Sequence, residues 1–241
     1  MQHSSLFALL ALFVLAAAPV WAVLPLNLVL PAQTVNNGGA VDYGMVGPGQ
    51  SFAIKFSPAV RENNAPSGKY LGRWDGAYAA NLPAGWSSRP SGLYGDPLSV
   101  EVTVDPLAAE GDYTFNVVTE DENGGDHIGG TFTFDVVVHV RKNVLGASIT
   151  PLSQEVGAGQ PARFTVTLTN LGTAPDTFRV GASGVKGWSY IIREYLAPGA
   201  TKTFNYEVVG GDEAYYPLVL FVESQSSPQI RYEQLVTLQV R

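Results

Sequence analysis

The 241-residue chain has a formal net charge of −7, no cysteine, 26 glycines and 16 prolines. Its length suits two units of about 100 residues each beside an N-terminal segment, and frequent Gly and Pro favour short strands over long helices. The acidic balance argues against nucleic acid, whose phosphates need clustered cations, and the missing thiols exclude disulfides, thiolate metal sites and a Cys nucleophile.

The N-terminus reads as an address. Leu6 to Ala18 is a continuous apolar run, and Val20 and Ala22 fit a signal-peptidase site after Ala22. A signal peptide over 1–22 is therefore expected. The run is short of the roughly 20 apolar residues of a membrane span. Met1 to Ser5 lacks Lys and Arg, so an uncleaved anchor is the competing reading, and membrane contact would come only through that segment. Export places the protein outside the cell or in its envelope. An exported chain without disulfides points to a prokaryotic envelope, and no Asn-x-Ser/Thr acceptor for N-glycosylation occurs.

Residues 23–142 read as a first β-sandwich. Leu24, Leu26, Leu28 and Leu30 share one face of a first strand, which either completes its own sheet or is donated to a neighbour. Gly47-Pro48-Gly49-Gln50 then precedes Phe52, Ile54 and Phe56. The stretch 57–97 is expected to be a long irregular insertion bearing Tyr70, Arg73, Trp74, Tyr78, Trp86 and Tyr94. Long loops on a sandwich carry recognition, and exposed Tyr, Trp and Arg suit sugar stacking or a protein anchor. The alternative is that Trp74 and Trp86 cap the core and pin the insertion. Further on, Tyr113, Phe115 and Val117 alternate, as do Phe132, Phe134, Val136, Val138 and Val140. Between them Asp121, Glu122 and Asp126 supply hard oxygens that could hold Ca²⁺. Their spacing departs from the EF-hand pattern, and a solvated hairpin turn around Asn123-Gly124 is the simpler reading.

Residues 143–241 read as a second sandwich. Phe164, Val166 and Leu168 alternate with Thr165, Thr167 and Thr169, and Phe204, Tyr206 and Val208 share a face after the turn at Pro198-Gly199. Asp212-x-Ala214-x-Tyr216 precedes an apolar strand, the spacing of a tyrosine corner. Landmarks recur between the two units: Gly157-Ala158-Gly159-Gln160 matches the turn at 47–50, and Gly187-Trp188-Ser189 matches Gly85-Trp86-Ser87. A diverged duplication of Greek-key sandwiches follows. Around Pro151 to Gln160, in Thr165 to Gly172, in Asp176-Thr177-Phe178 and in Leu196 to Ala200, the chain resembles the Ig-like modules of bacterial and archaeal surface proteins, similar to the cell-adhesion-related CARDB domains. That resemblance implies an immunoglobulin-like fold in an adhesive or envelope setting, and it brings no site residue with it.

Catalysis finds little support in the sequence. Beyond the first 22 residues only His127 and His139 remain, the latter out of phase with the apolar face of its strand. No nucleophile elbow, zinc helix or phosphate loop occurs. The expected function is a non-catalytic interaction module, without cofactor, that binds a surface protein or a polysaccharide. Self-assembly into a filament or lattice by strand addition is the second reading. A polysaccharide hydrolase using a carboxylate pair is the third, since such pairs leave no trace in sequence.

Overall fold

The computed structural model describes residues 24–122, 128, 130–184, 187, 188 and 190–241. The expected signal peptide over 1–22 lies outside the described residues. The described chain is all-β and sandwich-like, with no α-helix and a single 3₁₀ turn at Glu62–Asn64.

The N-terminal half contributes β1 (Leu26–Leu30), β2 (Gln33–Val35), β3 (Ala40–Val46), β4 (Ser51–Phe56), β5 (Ala59–Arg61), β6 (Tyr70–Arg73), β7 (Gly76–Ala80), β8 (Ser87–Arg89), β9 (Leu98–Thr103), β10 (Gly111–Glu120) and β11 (Thr131–Val140). One sheet has the order β2-β1-β4-β9-β8 and the other β3-β11-β10-β7, while β5 and β6 pair as a separate hairpin. The C-terminal half contributes β12 (Leu145–Thr150), β13 (Ser153–Val156), β14 (Pro161–Asn170), β15 (Asp176–Ser183), β16 (Gly187–Trp188), β17 (Ile192–Leu196), β18 (Thr201–Gly210), β19 (Tyr215–Ser224) and β20 (Arg231–Val240). Its sheets run β12-β14-β18-β16 and β13-β20-β19-β15-β17. The two halves share a wiring pattern: β3 runs parallel to β11 as β13 runs parallel to β20, and the other pairings are antiparallel.

Alternation decides which faces meet. Phe132, Phe134, Val136, Val138 and Val140 all point into the first core, and Phe164, Val166 and Leu168 into the second. Each such side chain contributes about 1.5–3 kcal/mol when fully buried. On the outer face of β14 the threonines pair across to β18, Thr167 with Thr203 and Thr169 with Thr201, at 2.9 Å each. Those hydroxyl pairs explain why a strand of alternating Thr holds its register.

The first strand behaves differently from its leucine pattern. β1 pairs with β4 of its own sheet, and Leu26 and Leu28 are buried. Leu30 is exposed, a correction to the expected four-leucine face, because the register against β4 shifts between Leu28 and Leu30 and turns the last leucine outward.

The matched turns have matched geometry. Gln50 Oε1 accepts from Gly47 N at 2.8 Å and Gln160 Oε1 accepts from Gly157 N at 3.3 Å, with Gly49 and Gly159 at φ +72° and +74°. Tyr216 Oη donates to the Asp212 carbonyl at 3.0 Å, the corner bond that the spacing suggested, and Tyr113 Oη does the same to Ala109 at 3.0 Å. Replacing either tyrosine by phenylalanine should cost about 1 kcal/mol, read as a lowered urea midpoint at unchanged slope.

The halves also touch. The Met45 carbonyl accepts from Thr173 N at 2.7 Å and Thr173 Oγ1 at 2.9 Å, and Ala174 is buried with the first core. The Pro106 carbonyl accepts from Ser227 Oγ and Gln229 Nε2 at 3.0 and 2.8 Å. At the centre of the contact Gln50 Nε2 donates to buried Asp176 at 2.8 Å.

Candidate interaction surface

The stretch 57–97 is more ordered than its sequence suggests. It holds the β5–β6 hairpin, and β7 within it pairs with β10 as a full member of a sheet. The sequence of β7, Gly-Ala-Tyr-Ala-Ala, lacks the β-branched alternation that marks strands, so the tertiary pairing alone reveals it.

Burial separates the six aromatic and cationic candidates. Trp74 is 1% exposed and meets Phe132 edge-on, with centroids 6.1 Å apart. Trp86 is 8% exposed against Tyr113 and Phe115. Both indoles are core side chains that pin the stretch, a correction to their reading as binding residues, since neither ring offers a face to a ligand.

Tyr70, Arg73, Tyr78 and Tyr94 are the remaining members. Tyr94 is 52% exposed although its backbone sits in the left-handed region at φ 58°, a conformation that costs a bulky residue free energy. Buried Asp75 sustains it. The Asp75 carbonyl accepts from Tyr94 N at 2.7 Å, Asp75 N donates to the Glu120 carbonyl at 2.8 Å, and Asp75 Oδ2 accepts from Glu122 N at 3.2 Å. Arg73 donates to the Gly95 carbonyl at 3.0 Å and places its guanidinium 5.9 Å from the Tyr94 ring. Tyr78 projects from the outer face of β7, where its hydrogen bond to Glu120 pushes the phenol above its ordinary range. Tyr70 stands apart on the hairpin with Arg61 5.8 Å from its ring.

Leu93 joins this surface and was not singled out by sequence. It is exposed, and its Cδ2 lies 3.4 Å from where a Cβ on Gly76 would stand, over the strand that carries Tyr78. The available signal was a Leu-Tyr pair inside the polar, turn-rich segment Arg89 to Pro97. Together Arg73, Tyr78, Leu93 and Tyr94 form an apolar, cation-backed face able to stack on a ring or anchor an apolar side chain.

The other candidates take less specific places. Asp126 lies outside the described residues, Asp121 is half-buried and Glu122 is exposed at the end of β10. Among the described residues no cluster of His, Asp and Glu is arranged to hold a metal ion. His139 projects from the outer face of β11, where Asp112 and then Asp42 raise its pKa through hydrogen bonds at 2.8 and 3.3 Å.

No family model matches the chain, and no curated protein matches it. Among solved structures, a beta-glucosidase from Listeria innocua is 14% identical over 40% of this chain at a TM-score of 0.30, and the same enzyme with glucose is 13% identical over 42% at 0.31. The chain spans 16% and 17% of those two proteins. A chimeric titin Z1Z2 bearing an exogenous KLER peptide from decorin is 13% identical over 85% of this chain and 94% of its own, at a TM-score of 0.34. Likeness at this level says nothing about activity.

Proposed function

We propose that the protein is an exported, non-catalytic interaction module of the cell exterior, made of two tandem immunoglobulin-like Greek-key sandwiches over 23–142 and 143–241. The repeated strand order, the parallel β3–β11 and β13–β20 pairs and the two tyrosine corners support that architecture. The first sandwich binds a surface protein or polysaccharide, and the second serves as spacer and docking platform. The observation that carries the binding role is Tyr94: an exposed ring on a costly backbone conformation, held in place by a buried aspartate and backed by Arg73. Folding energy is spent to present that ring, as binding sites do.

The test is sedimentation of the full chain with cell-envelope material from its native source. Tyr78→Ala with Tyr94→Ala should weaken binding about thirty-fold, the effect of losing about 2 kcal/mol at a hot spot, with an unchanged melting temperature. Undiminished binding by the double variant sinks the site. Assembly by strand donation is less favoured, because β1 already pairs with β4 of its own chain.

A further inference from the structure

A second feature lies on the opposite half. In the sheet β13-β20-β19-β15-β17 the register sets Arg193, Arg179, Glu223 and Arg231 in one rung across four strands. Glu223 is buried between Arg179 and Arg231 and pairs with both. Burial opposes its ionisation, yet the two guanidiniums hold the carboxyl below its usual range. One carboxylate thus serves two of the three arginines. Arg193, exposed and directly opposite Arg179, has neither an ion pair nor a side-chain hydrogen bond among the described residues. Like charges facing each other across a strand pair are destabilising. Arg179 Nε is also buried without a hydrogen-bond partner among the described residues. A hollow of about 480 Å³ opens over this pair, edged by Gln225 and Pro228. An anion seated there would answer the facing charges.

The hollow does not stand alone. Tyr195 lies two residues from Arg193 on the same face of β17, and its exposed ring lines a second, larger cavity of about 620 Å³. That groove runs between the outer face of β4, β9 and β8 and the C-terminal half. Its cations are Lys55, half-buried and without a side-chain partner among the described residues, and Arg89, whose pair with Glu101 is long at 3.8 Å and solvent-exposed. Hydroxyls floor it: Ser51 and Thr103 share a 2.7 Å hydrogen bond and keep further bonding capacity, with Ser87 beside them.

We infer that these two cavities form one track for an acidic linear polysaccharide, with carboxylates at Arg179 and Arg193, a sugar ring on Tyr195, and a further acidic residue at Lys55 and Arg89. Cations at both ends of an exposed ring suit a repeating polyanion, whereas a lone anion would fill only one end. Four cations face two carboxylates along the track of a chain whose net charge is −7, so attraction is local and directional. The hydroxyls of Ser51, Thr103 and Ser87 that floor the groove match the hydrogen-bonding groups of a sugar, which favours a polysaccharide over a peptide.

The track is independent of the Tyr78–Tyr94 surface, and the experiment separates them. Polygalacturonate oligomers, neutral dextran and poly-glutamate are titrated into the full chain by calorimetry at two salt concentrations. Polygalacturonate should bind with an affinity that falls as salt rises, and dextran should not bind. Arg193→Glu and Lys55→Glu should each weaken it at least tenfold and Tyr195→Ala about tenfold, with no fall in melting temperature and a rise for Arg193→Glu, which would place a carboxylate opposite Arg179, while Tyr94→Ala leaves binding unchanged. Equal binding of dextran, equal binding of poly-glutamate, or insensitivity to Lys55→Glu would each overturn the track.

Discussion

Gly49→Ala should lower stability by about 3–5 kcal/mol, while Gly159→Ala should cost only about 1 kcal/mol. The two glycines occupy the same turn in the two halves, with φ +72° and +74°. Each substitution carries the left-handed penalty of an L-residue, which accounts for the smaller figure. A Cβ on Gly159 meets nothing within 4 Å, whereas one on Gly49 would stand 2.0 Å from the backbone carbonyl oxygen of Ser226 in the other half. Backbone cannot rotate aside as a side chain can, so the halves must part or the turn must unfold. Urea denaturation of both variants checks the difference. Equal losses would mean that the turn at 47–50 does not abut the C-terminal half.

Asp176→Ala should cost about 3 kcal/mol, from the same region and by a different mechanism. Its buried carboxylate accepts four hydrogen bonds: Oδ2 from Gln50 Nε2 at 2.8 Å and Ser224 Oγ at 2.6 Å, Oδ1 from Thr177 N at 2.7 Å and Ser226 Oγ at 3.0 Å. Every lone pair is engaged, and alanine would strand donors from both halves away from water. Asp176→Asn keeps the shape but turns one acceptor into a donor facing other donors, so it should rescue only part of the loss. Gln50→Ala and Asp176→Ala combined should cost less than their sum by at least about 1 kcal/mol, because one removes the partner of the other. Strict additivity in that cycle would show that Gln50 and Asp176 do not bond.

How much of this was legible in the sequence varies from residue to residue. Alternation showed the inward faces of β11 and β14 without ambiguity, since a period of two needs only the residues themselves. The Gly-x-Gly-Gln turns and the Tyr216 corner were likewise readable, because each closes bonds within four residues. The candidate surface was half legible. Tyr78 and Tyr94 emerge where expected, but Trp74 and Trp86, equally prominent in the sequence, turn into the core. Whether a tryptophan faces in or out within a stretch lacking clear periodicity depends on partners such as Phe132 and Tyr113, which arrive from distant strands.

Local chemistry therefore determined the all-β character, the turns, and which strand faces are apolar: short-range sterics and a two-residue period act within a few residues. Only the tertiary structure decided that Asp176 is an anchor between halves, that Leu30 turns outward at a register shift, and that Arg193 stands against Arg179. Those outcomes depend on which strands pair and in what register. Pairing is a long-range balance of burial, hydrogen bonding and charge that no local window of the chain contains.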